Sequence, residues 1–277
     1  GSGIGGLCCG CILALSGKKV LICEAHYKPG GVAHGFKKKG YSFESGPSLW
    51  SGLGKWPTTN PLGQILYLLN EKVSLKTYKK WKVLFPEDNF DLEVGEEPFR
   101  KKIKSLRGQK SLEEWDNFIN SIKPISKIIN KTSLLTASPD NLNIFEFLNL
   151  AKNFLPDIRA LKKITRGFGH IVDEHLEDPF LRNWVDLLSF LISGMAMHDT
   201  NTAAMATLFE EWFDPSACLE YPLGGSEAIV DALVNGFQKN DGEIILSSRV
   251  ESINFDKNIA TGINLENGTK IYADNIV

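Results

Sequence analysis

The chain has no excess of charge of either sign: 31 lysines and arginines stand against 33 aspartates and glutamates. A net charge of −2 removes any global electrostatic reason for a nucleic-acid partner, so none is expected. Long apolar runs are missing too. The longest, Trp184 to Met197, is shorter than the about 20 residues a spanning helix needs and contains Asp186, so it reads as a buried helix. Cysteine is sparse and odd in number at five, and Cys8, Cys9 and Cys11 crowd one segment where geometry forbids most pairings. That argues against a disulfide scaffold and for a reducing compartment. The five histidines are scattered; His170 and His175, five apart, do not share a helix face, and no metal site is expected. No Ser/His/Asp constellation is evident either.

What is present falls into three textures. Residues 1–72 alternate glycine-rich turns with short apolar runs, residues 73–215 read as mainly helical, and residues 216–277 return to mixed helix and strand. Within the middle part, Ser111-Leu-Glu-Glu114 has the spacing of a capping box. Asp178-Pro179 reads as N-cap and first residue of a helix carrying Trp184, Leu187, Leu188 and Leu191, and the acidic run 173–178 reads as a solvated turn. In the last part, Ile229, Leu233 and Phe237 fall on one helix face. Strands are expected at 243–248, 250–255, 259–265 and 270–277, the last three as a β-meander.

Gly1, Gly3 and Gly6 satisfy G-x-G-x-x-G, a weak signal alone. Its chemistry needs a tight turn, a close approach of pyrophosphate to backbone, and a helix whose N-terminal amides face the anion. Here the glycines run into an apolar helix that ends at Ser16-Gly17, followed by the strand "KVLICE". Glu24 closes that strand 18 residues after Gly6, where a carboxylate would take both hydroxyls of a ribose and repel a 2′-phosphate. The three early cysteines stand where small packing residues are wanted.

After Glu24 come Pro29-Gly30-Gly31, then Gly40 to Ser48 ("GYSFESGPS"), and later "YPLGGSEAIVDALV" at 221–234 and "GEIILSSRVESI". In order and spacing these elements resemble the flavin fingerprint of the FAD-dependent phytoene desaturase, carotenoid isomerase and retinol saturase superfamily. Val32-Ala33-His34-Gly35-Phe36 stands where bacterial-type desaturases often have arginine and is similar to the isomerase and retinol-saturase side; His34 reads equally as a hydrogen-bonded structural residue. The resemblance implies an α/β fold. A discontinuous, Rossmann-like FAD-binding domain of the glutathione-reductase type would carry an inserted, mainly helical substrate domain and the β-meander. It implies that Gly1, Ser2, Gly3, Gly5 and Gly6 bracket the FAD pyrophosphate, and that Glu24, followed by Ala25, holds the adenosine ribose. Gly30 and Gly31 would pass close to the cofactor, Gly46 and Pro47 would lie near the flavin, and the Val250 backbone would meet adenine. Such a site needs a strand before the loop and a later segment to complete it, so a piece of a longer protein with weak flavin affinity of its own is expected.

The implied chemistry is cis-trans isomerisation, saturation or desaturation of a double bond in a hydrophobic carotenoid or retinoid polyene, with the flavin doing the redox work. The alternatives are a flavin amine oxidase-like enzyme and a non-catalytic flavin- or pigment-binding fragment. Phe145, Phe147, Trp184, Phe190, Met195, Met197 and Phe209 are candidate substrate lining, with core packing as the alternative for each. The helix "FRKKIKSLRGQK" at 99–110 carries Phe99, Ile103 and Leu106 on one face with Arg100, Lys101, Lys102, Lys104 and Arg107 around them and could lie peripherally on an anionic membrane. The reducing compartment would be the cytoplasm or a plastid stroma.

Overall fold

The computed structural model describes residues 1–132, 166–213 and 219–277, except Ser48, Lys55, Thr59, Glu87 and Asp88. The first elements are α1 (Ile4–Leu15), β1 (Leu21–Cys23), β2 (Gly35–Lys38), β3 (Tyr41–Glu44), β4 (Trp50–Ser51), α2 (Pro61–Leu68) and β5 (Leu75–Tyr78). Next come β6 (Lys80–Leu84), β7 (Asn89–Glu93), α3 (Glu96–Thr132), α4 (Gly169–His175), α5 (Pro179–Ser193) and α6 (Thr202–Phe213). The chain continues with β8 (Leu219–Pro222), α7 (Ser226–Lys239), β9 (Glu243–Ile245), β10 (Val250–Asp256), β11 (Ile259–Leu265) and β12 (Lys270–Tyr272). They form two compact units, Gly1–Tyr78 with Cys218–Val277, and Lys79–Ala217.

In the first unit β1 and β9 pair in parallel, Leu21 opposite Glu243 and Cys23 opposite Ile245. A parallel pair needs a crossover, and α1 and α7 are the helices that pack beside it. Gly10 permits their closeness: a Cβ there would come within 2.8 Å of the Ile22 side chain and 3.2 Å of the Phe237 ring. Leu7, Cys11 and Ala14 of α1 interleave with Ile229, Leu233 and Phe237 of α7, the face the sequence spacing predicts, and Ile65 and Leu66 of α2 join them. Each fully buried side chain of this size is worth about 1.5–3 kcal/mol. The antiparallel sheet β4–β8–β5 and the meander β10–β11–β12 complete the unit.

The second unit is built on aromatic contacts. Phe99 meets Trp115 edge-on at 5.0 Å and Trp184 at 4.8 Å, while Phe118 stands edge-on to Phe209 at 5.7 Å. Its helical part starts at Glu96. Residues 75–93, expected to be helical, supply β5, β6 and β7 instead. The reason is period two: Val83 points into the core opposite Phe90, and Leu92 is buried two residues on, while the lysines and acids between them face out.

Several local expectations change. Asp178 is the N-cap of α5 as expected, accepting from Phe180 N at 2.8 Å. Ser111 and Glu114, however, reach away from their own helix to that cap. Ser111 Oγ donates to Asp178 Oδ2 at 2.5 Å, and Glu114 Oε2 accepts from the backbone N–H groups of Glu177 and Asp178 at 3.0 Å. A break in α3 at Gly108 (φ 86°) sets Arg107 and Ser111 at this junction, and the Arg107 guanidinium closes on the Asp178 carboxylate at 3.0 Å. The run 173–178 is therefore a structural joint, not a solvated turn. Phe99 and Ile103 are buried in the core, Arg100 pairs with Asp116, and Arg107 with Asp178, so the face expected to meet a membrane is already covered. Trp184, Met197 and Phe209 are core residues, Phe190 and Met195 are exposed, and Phe145 and Phe147 lie outside the described residues. α5 is buried on one side only, with Leu187 and Leu191 exposed. Among the described residues no helix is long and apolar enough to cross a membrane.

Candidate functional site

In the first unit Ser2 is fully buried and Glu24 nearly so. Ser2 N and Ser2 Oγ both donate to Glu24 Oε2, at 2.7 and 2.8 Å, and His26 N donates to Oε1 at 2.8 Å. Burial pushes the Glu24 carboxyl up; these three bonds outweigh burial and hold it below the usual range. The carboxylate thus stays ionised where the glycine loop meets the end of β1.

The loop itself is shaped by close approach. A Cβ on Gly6 would run into the Gly1 carbonyl, whereas one on Gly3 or Gly5 would meet nothing within 4 Å, so open space lies beside those two residues. Gly3 caps α1 with no side-chain hydrogen bond, and no acid occupies the first turn. The first amides of α1 are left for an anion. The second glycine segment lies directly on the first: Gly30 N donates to Ser2 O at 2.8 Å, and a Cβ on Gly31 would sit 3.0 Å from Gly3 Cα. Gly30 and Gly31 both have positive φ (112° and 57°).

The third segment follows from the second. A Cβ on Gly46 would lie 2.5 Å from Val32 O, and Pro47 beside it is exposed. His34 ties the two segments together, Nδ1 against Gly31 O at 2.6 Å and Nε2 against Ser45 Oγ at 3.1 Å, a structural post. On the other side, Ser248 N donates to Glu24 O at 2.7 Å and Ser247 N to His26 O at 2.9 Å, which brings the turn before Val250 up to exposed Ala25. The residues expected at the site therefore gather in one loop cluster of the first unit.

Sequence reasoning missed Glu44 and Ser226. Glu44 accepts from Ser226 N at 3.1 Å and from Tyr221 OH at 3.3 Å, so it caps α7 from the far end of β3. Burial, then the adjacent Glu44 charge, raises the Tyr221 hydroxyl above its usual value. Ser226 Oγ donates to Pro47 O and accepts from Trp50 Nε1 at 3.1 Å. One of the unit's two long helix N-termini is thus closed by the chain's own carboxylate; that of α1 is open. Among the described residues no group of three His, Cys, Asp or Glu is placed to hold a metal ion.

Glycine loop, open helix end, parallel β1–β9 pair and terminal carboxylate are the parts of a Rossmann-type dinucleotide fold. The chain belongs to the flavin containing amine oxidoreductase family, which it matches over residues 4–277. FAD is the cofactor this membership supports, and the loop cluster fits it: space beside Gly3 and Gly5, a helix start that no side chain caps among the described residues, and an ionised carboxylate. The chain is 25% identical over 278 residues to the chloroplastic prolycopene isomerase of Daucus carota, covering 100% of this chain and 44% of that protein. It is 26% identical over 290 residues to all-trans-retinol 13,14-reductase of Rattus norvegicus, covering 98% and 44%. The chain spans about half the length of the curated relatives it matches. In fold it matches an oxidoreductase from Methanosarcina mazei with a TM-score of 0.68 at 16% identity, over 99% of this chain and 56% of that one.

Proposed function

We propose that the protein binds FAD in the loop cluster of the first unit and acts on a hydrophobic carotenoid or retinoid polyene, isomerising a double bond or changing its saturation. The observation that carries the cofactor site is the Ser2–Glu24 contact beside the open N-terminus of α1. In this reading Gly1, Ser2, Gly3, Gly5 and Gly6 receive the pyrophosphate through backbone N–H groups. Glu24 and Ala25 take the ribose, and Gly30 and Gly31 let the chain pass close by. Gly46 and Pro47 face the flavin ring, and the Val250 backbone meets adenine. Bound FAD supplies the redox chemistry, and these residues bind and orient it. The polyene class is supported by the two relatives, one named for isomerising prolycopene and the other for reducing all-trans-retinol.

The family description favours one other reading, an amine as substrate. Two incubations of the full-length protein separate them: chemically reduced FAD without oxygen for isomerisation and saturation of the polyenes, and oxidised FAD in air, with oxygen as electron acceptor, for amines and for desaturation. The polyene reading expects altered double bonds in a poly-cis carotene or in retinol, followed by chromatography, with primary amines left untouched. Amine oxidation with the polyenes unchanged overturns it. FAD binding with neither substrate consumed leaves a flavin-binding protein without catalysis.

A further inference from the structure

The contacts around Ser226 join two segments 182 residues apart. The residue is fully buried at the start of α7, yet nothing in its own helix uses its hydroxyl; that group donates to the Pro47 carbonyl and accepts from the Trp50 indole at 3.1 Å. Its backbone N–H is held by both oxygens of Glu44 at 3.1 Å. Gly225 before it has φ 79° and ψ −172°, and a Cβ there would collide with the Glu44 carboxylate, so the approach of Glu44 depends on that glycine. Glu44, Pro47 and Trp50 are thereby all fastened to one helix end. A simple helix cap needs only the first of these bonds. The other two fix the height and tilt of the exposed turn at Gly46 and Pro47.

We propose that Ser226 is a positioning residue for the flavin: its hydroxyl holds the Pro47 carbonyl, and with it the Gly46–Pro47 turn, at the height where the turn meets the ring, while Glu44 fixes Ser226. This rests on the reading that Gly46 and Pro47 face a bound flavin. Losing the hydroxyl leaves a carbonyl and an indole N–H to find new partners, and the turn moves to satisfy them.

The test uses the full-length protein and FAD, with three measurements on Ser226→Ala, Ser226→Thr and Trp50→Phe: FAD affinity by titration, the visible circular dichroism of the bound flavin, and the melting temperature without flavin. Ser226→Ala should weaken FAD binding on the order of tenfold, the equivalent of one lost hydrogen bond to a buried group. It should also change the flavin dichroism, while Ser226→Thr, which keeps the hydroxyl, restores both. Trp50→Phe removes one donor only and serves if Ser226→Ala does not fold; a smaller change in the same two signals is expected. A lower melting temperature with unchanged affinity and dichroism would reduce Ser226 to a structural cap and overturn the proposal. Wild-type protein that takes up no FAD overturns the flavin reading itself, whereas wild-type binding with indifferent variants overturns only the role of Ser226.

Discussion

Ser2 presents its backbone N–H and its hydroxyl to the same oxygen of Glu24, 22 residues away, at 2.7 and 2.8 Å. Two donors on one oxygen keep an ionised carboxylate at the first turn of the glycine loop. Glu24→Gln should leave the Ser2 hydroxyl and amide a weaker acceptor, costing about 1–3 kcal/mol. The expected readouts are a lower melting temperature and reduced FAD affinity in the full-length protein. Unchanged values for both would show that the carboxylate supports neither loop nor ligand.

Gly224 and Gly225 both have positive φ, 99° and 79°. A Cβ on Gly224 would sit 3.6 Å from Ala228, ordinary contact, whereas one on Gly225 would strike Glu44. Gly225→Ala should therefore lose the α7 cap as well as straining the backbone, about 2 kcal/mol or more, against about 1 kcal/mol for Gly224→Ala. Thermal melts of the two variants compare them directly. Equal losses would mean that Glu44 moves aside freely.

Asp178 in the second unit is pushed up by burial, but Ser111, Arg107 and the Phe180 amide outweigh this and hold its carboxyl below the usual range. A depressed folded-state pKa contributes stability above the unfolded value of about 3.9, lost as pH falls through the folded value. Asp178→Asn should then melt below wild type at pH 7 by an amount reflecting about 2 kcal/mol. The gap should narrow in acid as the wild-type carboxylate is protonated. A gap independent of pH would show that charge at this joint has no role.

Burial pushes the Cys8 thiol up to about 11 and that of Cys11 to about 12. Thiolate is the reactive form, so both should resist iodoacetamide at pH 8 in the native protein and react on unfolding. Peptide mapping after brief labelling checks this. Rapid native labelling of Cys11, whose Sγ lies 3.5 Å from Leu233 O between α1 and α7, would mean those helices separate readily.

How much of this was legible in the sequence depended on distance along the chain. The glycine loop, the α7 face of Ile229, Leu233 and Phe237, and the three meander strands are local patterns, visible as spacing. Strands β6 and β7 were hidden because each is short, β6 among lysines and β7 among acidic residues, although Trp81, Val83, Phe90 and Leu92 alternate. Glu44 stands inside the motif at Gly40 to Ser48, but its partner is 182 residues on, and no periodicity reports such a pairing. Ser111 and Glu114 carried the right spacing for a capping box, and tertiary contact with Asp178 overrode it.

The two helix ends of the first unit differ in one further respect. α7 carries its counter-ion within the chain, so the stabilisation at that end needs no ligand from solution. α1 has none. Its share must come from solution and follows mass action: with ligand at a hundred times its dissociation constant, about 2.7 kcal/mol is added to the folded state. A melting temperature measured for this protein is then partly a reading of free flavin concentration, and preparations that differ in bound cofactor should differ in apparent stability though the polypeptide is identical.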